Sequence, residues 1–129
     1  MATYIKKKIA FRFEVSKKIG YGHFMRCLSI AEKLNKKYSF QIYFIVNKDF
    51  SSKSLIKNKK IKIIYLNKTK NHLNEEVKIL KLINKLKINC IFFDIKKNLS
   101  INFFKKLSNN KIKIITIYDK YNKKNYSDI

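Results

Sequence analysis

The sequence predicts a doubly wound α/β domain, a parallel sheet of about five strands in the order 3-2-1-4-5. Three observations predict it. Short β-branched and aromatic runs alternate with segments of helical period along the whole chain. The runs are nearly continuous in hydrophobicity, as strands covered on both faces must be. Right-handed crossovers with short connections then favour a sheet that reverses direction beside its first strand.

The elements follow in order. "IAFRF" (9–13) is the first strand, and Phe24, Leu28, Ala31 and Leu34 recur at helical spacing after it. "FQIYFIV" (40–46) and "IKIIYL" (61–66) are the second and third strands, with a short helix expected between them around 51–57. Leu73, Val77, Leu80, Ile83 and Leu86 mark a cleaner helix, with Glu75 and Glu76 in its first turn and lysines in its last. "CIFFD" (90–94) is the fourth strand. Ser100 is placed to N-cap a helix carrying Ile101, Phe104 and Leu107, and "IKIITIY" (112–118) is the fifth strand. The polar tail from Asp119 stops where another element would be expected to begin, so the chain reads as one domain, 1–129, cut short of a longer protein.

At 129 residues and 46% hydrophobic, the chain can bury a real core. No run approaches the length of a membrane span, and the basic N-terminus lacks a signal peptide's apolar stretch. Cys27 and Cys90 are isolated and read as small buried residues in a reducing cytoplasm. A formal net charge of +23 invites a nucleic-acid reading. Arg12 and Arg26 are the only arginines among 31 basic residues, however, and the lysines are dispersed. With Lys, Asn and Ile abundant and Gly, Pro and Trp scarce, the charge reads as the surface product of an A/T-rich coding sequence. No recognition-helix or aromatic RNA-binding motif accompanies it, and nucleic acid is the less favoured partner.

In a doubly wound sheet, ligands bind at the carboxyl ends of the strands where strand order reverses, here between strands 1 and 4. The segment that leaves strand 1, "EVSKKIGYGH" (14–23), is long against the usual two to six residues or so of such a connection. It holds both glycines of the chain and one of its two histidines. Gly20 and Gly22 permit positive φ and let backbone N–H groups approach a ligand. The helix start that follows suits a phosphate or sugar oxygen, and its field favours a neutral, proton-accepting His23. A tight turn with a hydrogen-bonded, space-filling histidine fits the same residues. Glu14, Asp94 and Asp119 converge on the same rim, and His72 reads as surface. No cluster has metal-ligand spacing, and no metal or cofactor is expected.

The stretch "RFEVSKKIGYGHFMRCLSIAEKL" (12–34) resembles the N-terminal motif of the UDP-sugar hydrolases of pseudaminic acid biosynthesis. The matching residues are Arg12, Ser16, Ile19, Gly20, Gly22, His23, Arg26, Cys27 and Leu28, with weaker similarity at "FFD" (92–94) and "YD" (118–119). The resemblance implies a Rossmann-like N-terminal domain of a GT-B architecture. It further implies release of UDP from a 2,4-diacetamido-2,4,6-trideoxy sugar by metal-independent C–O cleavage. His23 would act on the attacking water, and Arg12, Glu14, Gly20, Tyr21, Gly22, Asp94 and Asp119 would bind substrate. A C-terminal half, in cis or as a separate chain, would hold most of the UDP. Glu14 stands where that family has Asp, and Lys96 where it has Tyr. A related GT-B glycosyltransferase component is the alternative.

Overall fold

The computed structural model describes residues 7–15, 20–48, 50–51, 53–58, 60–66, 72–95 and 99–117, with the side chains of 72–74 outside the description. Its strands are β1 (Lys8–Phe13), β2 (Gln41–Asn47), β3 (Ile61–Leu66), β4 (Cys90–Asp94) and β5 (Lys113–Thr116). The α-helices among the described residues are α1 (Gly22–Lys37), α2 (His72–Leu86) and α3 (Ile101–Asn109). The strands form one parallel sheet in the order β3-β2-β1-β4-β5, as the alternation predicts.

Side chains alternate across β1 and divide the core in two. Ile9, Phe11 and Phe13 face α1 and join Phe24, Cys27, Leu28 and Ala31 with Phe44 from β2. Ala10 belongs to the opposite layer, with Ile79 and Ile83 of α2, Phe103, Phe104 and Leu107 of α3, and Phe93 of β4. The α1 layer holds a cluster of phenylalanines: Phe11 stacks on Phe92 with centroids 4.4 Å apart, and Phe13 meets Phe44 edge-on at 5.0 Å. β1 and β2 are covered on both faces, as expected of central strands. β3, at an edge, leaves Lys62 and Tyr65 exposed.

One local feature departs from the sequence reading, and a second was not anticipated by it. The helix expected at 51–57 is a single 3₁₀ turn, Lys53–Leu55, closed by the Ile56 N–H on the Lys53 carbonyl. All three of its residues are exposed, so no apolar stripe repays nucleating a longer helix. Secondly, α2 and α3 end through Lys87 (φ 58°) and Lys111 (φ 60°), left-handed positions that glycine normally fills. Ile88 N–H reaches the Ile83 carbonyl, and Ile112 N–H that of Leu107, the six-to-one bond of a Schellman turn. A glycine-poor chain here uses lysine at some cost in backbone strain.

Ser100 caps α3 as expected, its hydroxyl accepting from the Phe103 N–H. Among the described residues no helix is long and apolar enough to cross a membrane.

Candidate functional site

The parallel register places Phe13 opposite Asp94, so β1 and β4 end together at the point where strand order reverses. Alternation along β4 sends Ile91, Phe93 and Ile95 into the α2/α3 layer and Phe92 into the α1 layer. Asp94 therefore projects under α1, with no exposed surface. An ionised carboxylate in that position requires partners, and three come from one face of α1 at helical spacing. His23 Nδ1 lies 2.5 Å from Asp94 Oδ1. Arg26 donates from Nε to Oδ2 at 2.8 Å and from Nη2 to Oδ1 at 2.6 Å, a forked pair. The Cys27 thiol reaches Oδ2 at 3.9 Å, and burial with the Asp94 charge pushes it far above the ordinary thiol range. Asp94 in turn raises the Arg26 guanidinium further, chiefly through the hydrogen bond.

The carboxylate at Nδ1 selects the His23 tautomer. With the ring neutral, Nδ1 carries the proton that Asp94 accepts, and Nε2 carries the lone pair. Arg26 Nη2 lies 3.2 Å from Nδ1 because both nitrogens donate to the same oxygen. An acidic residue holding a histidine in one orientation and tautomer is the arrangement that prepares imidazole for general-base work. The expectation from the helix field counted one influence on this ring. The structure adds two that sequence could not place, the Asp94 carboxylate and the Arg26 guanidinium.

The two glycines divide their roles. Gly20 takes φ +85°, as a left-handed turn residue. Gly22 has no positive φ and simply opens α1, so the freedom expected of it is not used. Tyr21 occupies the N-cap without a side-chain cap bond and is half-exposed beside His23.

On the other face of the sheet, at the same edge, Arg12 is 1% exposed. Its Nη2 donates to Glu75 Oε1 at 2.7 Å and to Glu14 Oε1 at 3.2 Å, and Nη1 donates to the carbonyls of Phe13 and Ile45. Arg12 and Asp94, both expected to touch substrate, are thus buried at the carboxyl edge of the sheet and bonded to protein partners. Arg12 ties the end of β1 to β2 and α2 and fixes Glu14. Asp94 fixes His23 and Arg26.

Three further residues shape the edge without having been anticipated there. Glu75 and Glu76 read as ordinary first-turn acids of α2, yet both are buried. Glu75 takes the Arg12 ion pair, and Glu76 accepts from the Ser100 N–H and hydroxyl, both at 2.7 Å. Asn47 brackets Val15, accepting from its N–H at 3.1 Å and donating to its carbonyl at 3.0 Å, which pins the start of the 14–21 connection. A polar residue closing the apolar run of β2 was the available signal for Asn47.

Asp119, Ser16, Ile19, Lys96 and the His72 side chain lie outside the described residues. Among those described, no three His, Cys, Asp or Glu side chains gather into a group that could hold a metal. A groove of about 390 Å³ lined by Glu32, Asn35, Lys36, Lys57, Asn58 and Lys60 sits at the opposite, amino edge of the sheet, remote from His23.

No family model and no curated protein matches the chain. Solved structures do. A glycosyltransferase from Rickettsia africae ESF-5 superposes with a TM-score of 0.62 at 17% identity, over 92% of this chain and 32% of that one. A formyltetrahydrofolate deformylase from Pseudomonas putida KT2440 superposes with a TM-score of 0.58 at 13% identity, over 83% and 37% respectively. The chain spans about a third of the length of these structures. At such identities the likeness shows the fold, a Rossmann-like α/β sheet of the kind found in a glycosyltransferase.

Proposed function

We propose that the chain is the sugar-facing domain of a metal-independent hydrolase that releases UDP from a nucleotide sugar. The substrate class is the 2,4-diacetamido-2,4,6-trideoxy sugar implied by the motif at 12–34. The observation that carries the reading is the His23–Asp94 contact at the reversal of strand order. His23 Nε2 takes a proton from water as the water oxygen bonds to the anomeric carbon. The C–O bond to the diphosphate breaks, and UDP leaves with the electron pair. A nucleoside diphosphate is a good leaving group, so the base carries most of the demand.

Glu14, Gly20, Tyr21, Gly22 and Asp119 contact the sugar in this reading, while Arg12 and Asp94 act through Glu14 and His23. A second, C-terminal half holds the uridine, and the setting is cytoplasmic, where Cys27 and Cys90 stay reduced. A GT-B glycosyltransferase component is the second reading, favoured by the Rickettsia africae likeness.

The test is UDP release from the diacetamido sugar nucleotide by the chain joined with a complementary UDP-binding half. His23→Ala is expected to lower turnover about 10²- to 10⁴-fold with substrate affinity largely kept. Near-parental turnover with weakened binding would reduce His23 to a ligand contact. Transfer of the sugar to an acceptor in place of water would select the glycosyltransferase.

A further inference from the structure

We propose that Arg26 contacts the phosphate attached to the sugar, using the edge of its guanidinium that Asp94 leaves unoccupied. This rests on the reading that the ligand is a nucleotide sugar, and it holds for hydrolysis and transfer alike. A guanidinium has five N–H groups arranged along two forked edges and one single side. Asp94 occupies the Nε/Nη2 edge, with donor–acceptor distances of 2.8 and 2.6 Å. The planar geometry turns the Nη1/Nη2 edge away from Asp94, and among the described residues no hydrogen bond engages Nη1.

Exposure separates the members of the cluster. The Asp94 side chain has none, that of His23 is 8% exposed and that of Arg26 is 45% exposed. A ligand reaching His23 therefore meets the guanidinium before it meets the carboxylate. The forked pair also removes the flexibility that makes a surface arginine a weak anchor, because the pose is set before the ligand arrives. Arg26 stands three residues after His23 on α1, so a phosphate on its outer edge lies next to the atom that receives the proton. The charge balance agrees. Arg26 and Asp94 cancel when His23 is neutral, and no acidic side chain occupies the first turn of α1. Transfer of a proton to His23 gives the cluster a net positive charge as the diphosphate leaves with its negative charge.

The test titrates inorganic pyrophosphate, and separately UDP, into the purified chain, following arginine Nε–H signals by NMR and affinity by calorimetry. The parent is expected to bind pyrophosphate with a shift at Arg26. Arg26→Gln is expected to weaken binding roughly 10- to 100-fold, the range of a lost charged hydrogen-bond pair. Arg26→Lys keeps the charge without the fork and should lose about 10-fold. Because the chain is so basic, Lys57→Gln, in the groove at the opposite edge, controls for general attraction and should bind as the parent does. Should Arg26→Gln unfold, Arg26→Lys decides alone. Parental affinity in Arg26→Lys and in any folded Arg26→Gln, an equal loss in Lys57→Gln, or no binding by the parent overturns the proposal. Binding through Arg26, with no UDP released from sugar nucleotides once the chain is joined to a UDP-binding half, would keep this contact and sink the hydrolase reading.

Discussion

Asp94→Asn perturbs the site while conserving its shape, and its cost can be worked out group by group. Asp94 accepts from Arg26 twice, from His23 once and weakly from Cys27, all under α1. Asparagine offers one carbonyl oxygen and one NH₂. Turned to keep the shared contact with His23 and Arg26 Nη2, it presents its NH₂ to Arg26 Nε, donor against donor. One charged hydrogen bond is lost outright and two become neutral-acceptor bonds, against a contribution of about 1.5 to 3 kcal/mol for a hydrogen bond to a charged group. Removing one partner of a fully buried pair costs about 3 to 5 kcal/mol. Arg26 is half-exposed and rehydrates, so the lower part of the combined range applies, about 2 to 3 kcal/mol. For a chain of this size that lowers Tm by roughly 8 to 12 °C. Urea denaturation should show a lower midpoint with an unchanged slope. In an Arg26→Gln background the cost of Asp94→Asn should shrink by about 1 kcal/mol or more, since neighbours sharing a network are not additive. A loss below about 0.5 kcal/mol, or full additivity, would refute the view that Asp94 is the charged centre of the cluster.

Other outcomes follow from single features of the structure. Lys87→Gly and Lys111→Gly should each stabilise the chain by about 0.5 to 1 kcal/mol in urea denaturation, because each relieves a left-handed φ. Gly20→Ala should cost about 1 kcal/mol at its φ of +85°, whereas Gly22→Ala, with open space around it and a helical position, should be neutral or stabilising. Glu75→Leu should destabilise by about 1.5 to 3 kcal/mol, because it removes the shorter ion pair of the buried Arg12 and leaves Glu14 and two carbonyls to hold it. Burial raises the Cys27 thiol, so the folded state holds the neutral form more tightly than the unfolded state does. Its contribution is complete below the unfolded thiol range, near pH 9, and declines as pH rises beyond it. Native Cys27 should accordingly resist alkylation at pH 8 and react once urea unfolds the chain.

The fold was legible because each strand is a short, dense apolar run and the helices between carry their own period. Burial of β1 and β2 on both faces is the physical counterpart of that pattern. The 51–57 segment failed because Leu55 and Ile56 suggest a helix without an apolar stripe to bury one. At the candidate site, position along the chain found the edge but not the contacts. Strand alternation decides that Arg12 and Asp94 leave their strands on opposite faces, and neither pairing could be read from spacing. Asp94 and Arg26 are 68 positions apart in the chain and Arg12 and Glu75 are 63 apart, separations closed by the sheet register and not by any local motif. Glu75 in particular satisfied a simpler explanation, a first-turn acid on a helix, which hid its buried partner.

The central claim is that Asp94 holds His23 as a proton acceptor at Nε2 over the end of the sheet. Long-range ¹H–¹⁵N correlation of the imidazole in the purified chain tests it most directly, at a pH where the ring is neutral. The tautomer protonated at Nδ1 is expected, with Nε2 showing the shift of an unprotonated nitrogen, and a loss of that preference in Asp94→Asn. A His23 ring protonated at Nε2 in the parent, or a tautomer indifferent to Asp94→Asn, would contradict it.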